Sequence, residues 1–243
     1  MWKKIVLISF NMVLAAYMVL AVSAFNKPDR EITCQAVDIT IEENVMPGFL
    51  TRDEVRQMLV TDHLMPIGKT LETINLREME ETLEAKELIE DAECWTTQDG
   101  TVRVNVYQRI PVIRVMNSMG EDYYVDTHGK PMPHTDYSCK LIVCTGSITK
   151  AYAEKVLAPM ANIINNDEFW KNEVTQLNIL PDGSMELVPR VGDHIAYLGQ
   201  PQRITKKLER LRKFYRYGLT QAGWNKYSRV SVEYDNQIIC KRK

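Results

Sequence analysis

Apolar residues follow one another without interruption at the start of the chain and alternate with polar ones further on. Ile5 to Phe25 is a run of 21 residues without a charge. A helix of that length spans about 31 Å, close to the thickness of the hydrocarbon core of a bilayer. Lys3 and Lys4 precede the run. The positive-inside rule therefore predicts a cytoplasmic tail at residues 1–4, a transmembrane helix at residues 5–25 and an exported remainder.

A cleaved signal peptide is the competing interpretation of this run. Val22-Ser23-Ala24 resembles a small-residue cleavage site. However, the run is longer than the roughly 7–15 residues of a signal core, and its length favours a retained anchor. Asn11 inside the run either hydrogen-bonds a neighbouring transmembrane helix or is simply tolerated by a very apolar helix.

Helical and strand periods follow each other over residues 32–115. Residues 32–42 are typical of a first strand. Thr51 and Glu54 form a capping box that opens one helix, and Asn75 caps a second. Two strands come next, which gives the order strand, helix, helix, strand, strand.

The final two strands of this unit carry the strongest local signal. Val102, Val104 and Val106 repeat with period two directly after Asp99-Gly100, a pair suited to a tight hairpin turn. The chain continues through Pro111, which has no backbone donor, to Val115. We predict a small α+β domain over residues 32–115.

The pattern of residues 120–243 predicts a second domain, a mixed β domain with flanking helices. Tyr123-Tyr124-Val125 and Lys140–Cys144 are apolar strand segments. The remaining expected elements are a helix at about 150–166 kinked by Pro159, a hairpin of Gln176–Leu180 and Met185–Val188, a strand at His194–Leu198, a basic helix at about 203–218, and a final strand, turn and strand over Arg229–Cys240.

The last hairpin alternates as a strand should. Val230, Val232 and Tyr234 fall on one face of the segment Arg229-Val230-Ser231-Val232-Glu233-Tyr234, Asp235-Asn236 can turn the chain, and Ile238-Ile239-Cys240 returns. Because it is last in the sequence, no later element can cover it. We therefore expect it to form an exposed edge of the sheet.

Charge changes this picture only locally. The 30 basic and 32 acidic residues leave a formal charge of −2, which gives no general attraction to nucleic acid. Residues 78–93 contain eight acidic residues against Lys86, and residues 203–216 contain seven basic residues against Glu209. These runs are either the solvated faces of helices or opposite fields suited to different partners.

Candidate chemistry is sparse. Gly68-Lys69-Thr70 lacks the earlier glycine of a phosphate-binding loop, because position 63 is His63. His134 and Cys139 are weak metal-ligand candidates without a second pair. Asp126 precedes a turn, where an aspartate commonly bonds the turn backbone. We therefore predict no catalytic residue, no metal and no cofactor.

The cysteines do not settle the redox state of the chain. Five of them, Cys34, Cys94, Cys139, Cys144 and Cys240, follow the apolar run. An odd number does not suit a complete disulfide framework, and we expect mostly buried or unpaired thiols. One long-range disulfide stays open.

Several segments in order resemble the FtsQ/DivIB family of bacterial cell-division proteins. They are Ile89-x-x-Ala92-x-Cys94, Thr101–Val106, Gln108-Arg109-Ile110-Pro111, Tyr124-Val125-Asp126-x-x-Gly129, Leu187–His194 and Gly223–Ser228. Two positions depart from the family pattern. Gln108 stands where a glutamate is common, and the segment Leu141–Gly146 lacks the proline of its family equivalent.

The resemblance implies a transmembrane helix, a POTRA domain and a β domain acting as a non-enzymatic scaffold. It implies an inner-membrane location at the division septum, with the main part periplasmic. The partners it implies are the small membrane proteins FtsB and FtsL, and an FtsW/FtsI-type synthase. It places the FtsB contact on the C-terminal hairpin, at Arg229, Val230, Ser231, Val232, Glu233, Tyr234, Ile238 and Ile239, where an added strand would bond the backbone.

Two other classes stay open at this point. An envelope enzyme would need a catalytic constellation that the sequence does not display. A POTRA-type envelope chaperone or transport component that captures exported polypeptides would usually carry repeated POTRA units or a membrane barrel. A pull-down from crosslinked cells separates scaffold from chaperone, since the first retains division proteins and the second retains many exported clients.

Overall fold

A computed structural model describes residues 2–25, 32–42, 49–135 and 140–243, without the side chains of residues 3–8 and 22–25. The first element is helix α1, Trp2–Phe25, which begins inside the predicted tail. Within the described part of the chain, no helix combines the length and apolar character that a membrane crossing requires. The segment predicted to span the membrane, residues 5–25, is helical, and the side chains of residues 5–8 and 22–25 lie outside the described part of the chain.

The first domain has the predicted order of strand, helix, helix, strand, strand. Its elements are β1 (Ala36–Glu42), α2 (Arg52–Thr61), a 3₁₀ turn (Leu71–Thr73), α3 (Leu76–Glu84), β2 (Ile89–Thr96) and β3 (Thr101–Gln108). The strands form a three-stranded sheet in the order β1-β3-β2, with β1 parallel and β2 antiparallel to β3. The helices cover one face of this sheet and enclose a core with the inward side chains of all three strands.

The residues that begin the two helices act as the sequence predicts. The Thr51 side chain accepts a hydrogen bond from the Glu54 N–H, and the Glu54 carboxylate accepts one from the Thr51 N–H at 2.7 Å. The Asn75 side chain accepts from the Glu78 N–H in the same way. These bonds satisfy backbone donors that have no partner within a helix.

The second domain is built on a nine-stranded mixed sheet. Its strands are β4 (Pro111–Asn117), β5 (Asp122–Asp126), β6 (Pro131–Pro133), β7 (Ile142–Gly146), β8 (Val174–Ile179), β9 (Met185–Pro189), β10 (Ile195–Gly199), β11 (Tyr227–Ser231) and β12 (Ile239–Arg242). They lie in the order β12-β11-β10-β9-β8-β7-β4-β5-β6.

The sequence placed the end of the first domain too late, at Val115. Strand β4 contains that residue and pairs with β5 and β7 of the large sheet. Val112, Ile113 and Val115 are all buried, since β4 is an inner strand. A strand buried on both faces shows a continuous apolar run, which does not reveal which sheet it joins.

Helices cover one face of the large sheet. They are α4 (Lys150–Tyr152), which continues through a π-helical turn (Ala153–Leu157) into α5 (Ala158–Asn165), then α6 (Glu168–Glu173), and α7 (Ile204–Lys213), which continues through a second π-helical turn (Phe214–Leu219) into α8 (Thr220–Ala222). The π-helical turn lies immediately before the segment of Pro159, where the sequence predicts a kink.

Residues that face one another on neighbouring strands form the centre of the core between the large sheet and its helices. Six of them, from six neighbouring strands, have no exposed surface: Val115, Cys144, Leu177, Leu187, Ala196 and Val230. On the opposite face, Gln176 donates to Thr145 at 2.8 Å and Asn178 donates to Glu186 at 3.1 Å. The sheet therefore has one apolar face and one largely polar face.

A buried ion pair joins the two domains. Arg109 lies between β3 and β4, and its guanidinium group is 2.7 Å from the carboxylate of Asp126, with side-chain exposures of 11% and 3%. The same guanidinium donates to the carbonyls of Glu87 in the first domain and Lys130 in the second. Asp126 also accepts from the N–H groups of His128 and Lys130. The pair thus fixes the turn after β5 and the junction together.

Aromatic packing supports the same junction. Phe49, just before α2, contacts the ring of Tyr124 in β5 with centroids 5.6 Å apart, and Met132 of β6 completes a small buried cluster. Leu88 and Leu141 pack against it. This cluster buries apolar side chains from both domains.

Burial of His194 in the second domain predicts a pH-dependent stability. His194 is buried, its Nε2 is 2.8 Å from the Tyr215 hydroxyl, and burial lowers its pKa below the ordinary value. The unfolded chain therefore binds a proton near pH 6.5 that the folded chain does not. This contribution to stability is complete above about pH 6.5 and is lost as the pH falls from there toward the folded pKa.

We expect the melting temperature of the wild type to fall more steeply between pH 7 and pH 5 than that of a His194→Gln variant. Glutamine keeps a polar group that can reach Tyr215 and does not titrate in this range. Parallel pH profiles of the two proteins would show no separate histidine effect and would contradict the prediction.

Candidate functional site at the C-terminal sheet edge

The predicted docking strand is an inner strand of the sheet. β11 pairs in parallel with β10, where Ile195 faces Arg229 and Tyr197 faces Ser231. On its other side, β11 pairs antiparallel with β12, where Ser231 faces Ile239. The prediction that the backbone of Arg229–Ser231 forms a free edge is therefore wrong. Both of its sides already have partners within the sheet.

The side chains predicted to bind a partner separate into buried and exposed groups. Val230 and Val232 have no exposed surface and belong to the core. The guanidinium of Arg229 is 2.8 Å from Glu186 and lies over the ring of Tyr197 on the polar face of the sheet. Ser231, Glu233 and Ile238 are partly buried. Tyr234 and Ile239 are 56% and 53% exposed, and these two remain accessible.

Strand β12 forms one edge of the sheet, and β6 forms the opposite edge. The Lys243 N–H donates inward to the Lys226 carbonyl at 3.3 Å. Because successive backbone groups of a strand alternate between its two sides, the N–H groups of Arg242 and Cys240 point away from β11. Lys241, Arg242 and Lys243 are exposed. The accessible edge is therefore short and basic.

Arg210 of α7 determines where β11 ends. Its guanidinium donates to the carbonyls of Val232 at 2.8 Å and Tyr234 at 2.5 Å, and to the Asp235 carboxylate at 2.7 Å. The carbonyls of Val232 and Tyr234 are thus bound to a side chain and not to a neighbouring strand. For this reason the strand ends at Ser231. The alternation of the sequence predicts that it continues to Tyr234.

The turn between β11 and β12 is held by charge. The carboxylate of Asp235 forms ion pairs with Arg210 and Arg203. These contacts hold the pKa of Asp235 below its ordinary value, and the hydrogen bond from Arg210 is the largest cause. Asn236 adopts a positive φ of 63°, a conformation that asparagine tolerates. The predicted turn at Asp235-Asn236 is confirmed.

A basic groove lies beside this turn. It has a volume of about 620 Å³. Its lining residues are Lys206, Glu209, Arg210 and Lys213 of α7 with Asn236, Gln237 and Ile238. The basic run at residues 203–216 was the signal in the sequence that pointed to this surface. The basic run alone does not predict the contacts of Arg210 or the position of β12 at the edge of the sheet.

The other candidate residues of the sequence do not form a second site. Asp126 bonds its turn and Arg109, as described above, and the ring of His134 stacks on Tyr124 with centroids 5.4 Å apart. Cys139 lies outside the described residues. Cys34, Cys94, Cys144 and Cys240 are free thiols. Among the residues that the structure describes, no three His, Cys, Asp or Glu side chains are placed to hold a metal ion.

Comparisons with known proteins agree with this architecture. Residues 32–107 match the family model of the POTRA-like domain. Residues 110–241, more than half of the chain, match the model described as FtsQ/DivIB, C-terminal related. No curated protein matches the chain. The boundary between the two models falls at the Arg109 junction, where the structure separates the two sheets. The chain belongs to the FtsQ/DivIB family.

Proposed function

We propose that this chain is a non-enzymatic, single-pass membrane scaffold of the bacterial divisome. Its POTRA domain takes part in recruitment to the septum. Its β domain holds FtsB- and FtsL-type partners, and through them an FtsW/FtsI-type synthase, by strand addition at β12. The observation that carries the proposal is the accessible edge of a nine-stranded sheet in a member of the FtsQ/DivIB family.

The structure supports an edge contact at β12 for a physical reason. An edge strand offers N–H and C=O groups to an incoming strand without any catalytic side chain. The outward N–H groups of Cys240 and Arg242 are such groups, and the exposed Ile239 side chain adds an apolar contact beside them. The three basic residues at the end of the chain discourage unspecific pairing between edges.

Replacing Arg242 by proline tests strand addition. Proline removes the outward N–H at an exposed position and leaves the inward hydrogen bond from the Lys243 N–H to the Lys226 carbonyl in place. One hydrogen bond contributes about 1 kcal/mol, so we expect the dissociation constant for a purified FtsB-type partner to rise by roughly five- to tenfold. Isothermal titration calorimetry on the purified full chain measures it.

Arg242→Ala is the matched control, because it removes the same charge and keeps the N–H. We expect this variant to retain most of the affinity. Equal weakening by alanine and proline would show that the charge and not the backbone binds the partner, and strand addition at β12 would then be wrong. Ser231→Pro is unsuitable, since it would break the internal pairing of β11.

The membrane anchor is the second part of the proposal. The exposed side chains of α1 include Phe10, Val13, Tyr17, Val19 and Leu20, and they lie on more than one side of the helix. A helix that is apolar all round is covered by protein or by lipid. This arrangement and the uncharged run of the sequence support a retained anchor with its N-terminus in the cytoplasm.

We expect the mature protein to keep its N-terminus. N-terminal sequencing of protein purified from membranes should give the initial residues, with or without Met1. A sequence that starts at Phe25 would show cleavage after Ala24 and would contradict the anchor.

A further inference from the structure

The POTRA sheet has a second face that its helices do not cover. Three side chains from each strand form a regular grid there: Asp38, Thr40 and Glu42 from β1, Arg103, Asn105 and Tyr107 from β3, and Asp91, Glu93 and Trp95 from β2. Six of these nine side chains are exposed, including Trp95 at 40%. We call this surface the POTRA open face.

The POTRA open face is acidic. It carries four carboxylates against the single guanidinium of Arg103, which is 4.0 Å from Asp38. Three of these carboxylates act on Tyr107, whose pKa is raised first by Glu93 and then by burial, Glu42 and Asp91. A face of this sign attracts cationic groups and repels an anionic membrane surface.

A groove opens at the Tyr107 end of this face. Its volume is about 250 Å³, and it is lined by Glu42, Glu90, Asp91, Tyr107, Gln108 and Ile110. This space is large enough for one guanidinium or ammonium group with part of its aliphatic stem. The ring of Tyr107 supplies a surface on which such a cation gains a further attraction.

A buried acceptor lies at the centre of the grid. Asn105 is 9% exposed, and its Nδ2 donates to the Tyr107 hydroxyl at 3.2 Å, whereas its Oδ1 has no hydrogen-bond partner among the residues that the structure describes. A buried acceptor without a donor is unfavourable and uncommon in folded proteins. The amide is therefore placed to receive a donor from a molecule that displaces the side chains around it.

We infer that the POTRA open face binds an arginine- and lysine-rich polypeptide segment, with one cationic side chain in the groove beside Tyr107 and a donor directed to Asn105. The carboxylates are distributed over two outer strands, about 10 Å apart across the sheet. An extended segment with several positive charges matches this spacing better than a compact ligand does. The inference rests on the recruiting role proposed above for the POTRA domain and specifies the chemistry of the partner segment.

A synthetic ten-residue peptide of alternating arginine and serine is the probe. The purified full chain in neutral detergent is titrated with it at low salt, and the fluorescence of Trp95 reports binding, with Trp95→Phe to assign the signal. Asp91→Asn/Glu93→Gln should raise the dissociation constant at least tenfold. The matched control, Glu84→Gln/Glu87→Gln, makes the same change of charge on exposed residues elsewhere in the POTRA domain and should change it less than twofold.

Asn105→Leu tests the central acceptor, because leucine has a similar size and no polar atom. This variant should bind the peptide several-fold more weakly while melting no earlier than the wild type. The inference would be overturned if Asp91→Asn/Glu93→Gln and Glu84→Gln/Glu87→Gln weakened peptide binding equally. It would also be overturned if the wild type showed no saturable binding. Arg242→Pro should leave peptide affinity unchanged, so failure here is distinguishable from failure of the β12 proposal.

Discussion

Replacing Asp126 by alanine should lower the free energy of unfolding by about 3–5 kcal/mol, the range observed when one partner of a buried ion pair is removed. The loss is large because the carboxylate accepts from the guanidinium of Arg109 and from the N–H groups of His128 and Lys130. Without it, a guanidinium that is only 11% exposed loses its counter-charge. Urea denaturation of the purified full chain, followed by tryptophan fluorescence, measures the change.

Asp122→Ala provides the matched control for Asp126→Ala. Asp122 lies in the same strand and is 2.5 Å from Arg114, but both side chains are about one-third exposed, at 34% and 31%. Ion pairs near the surface contribute about 0–1 kcal/mol, so this variant should remain near the stability of the wild type. If the two variants lose similar free energy, the junction does not depend on the buried pair, and our account of how the domains are joined is wrong.

Local features of this fold could be predicted because their signals lie within a few residues of one another. The capping box needs only Thr51 and Glu54, and the hairpin between β2 and β3 needs only Asp99-Gly100. Gly100 adopts a φ of +83°, and a Cβ there would lie 2.9 Å from the Thr33 carbonyl oxygen. Both the conformation and the close approach require glycine at this position.

The position of a strand within its sheet could not be predicted in the same way. The alternation of Val230 and Val232 indicates one buried face, and that indication is correct. The same alternation is shown by inner and edge strands, so it contains no information about the β10 backbone that covers one side of β11. The pairing of β4 with the large sheet depends on β7, which follows much later in the sequence.

The contacts of Arg210 could not be predicted from the sequence for a similar reason. A run of basic residues on a helix is usually a solvated face, and most of this run is exposed. Two of the three acceptors of Arg210 are backbone carbonyls, which every residue has and no pattern identifies. Their distance along the chain, 22 residues to Val232 and 24 to Tyr234, places the contact beyond any local signal.

Replacing Arg210 by alanine should release the loop that precedes β12. Three hydrogen bonds from one guanidinium are lost, and hydrogen bonds that involve a charged group contribute about 1.5–3 kcal/mol each. We expect faster amide hydrogen exchange in residues 232–242 while the core strands stay protected. Because the edge must be ordered to accept a strand, affinity for an FtsB-type partner should fall at least about tenfold, which corresponds to 1.4 kcal/mol.

Lys213→Ala is the control for Arg210→Ala, since it removes a charge from the same helix. Lys213 is 69% exposed and contacts only Glu209 within α7 among its ion pairs in the described residues, so this variant should bind the partner within about twofold of the wild type. Arg210→Lys keeps the charge but cannot bridge two carbonyls and a carboxylate with a planar fork, and it should resemble the alanine variant. A lysine variant with full affinity would show that charge alone is needed. An alanine variant with slow exchange and full affinity would show that the loop orders itself without this clamp.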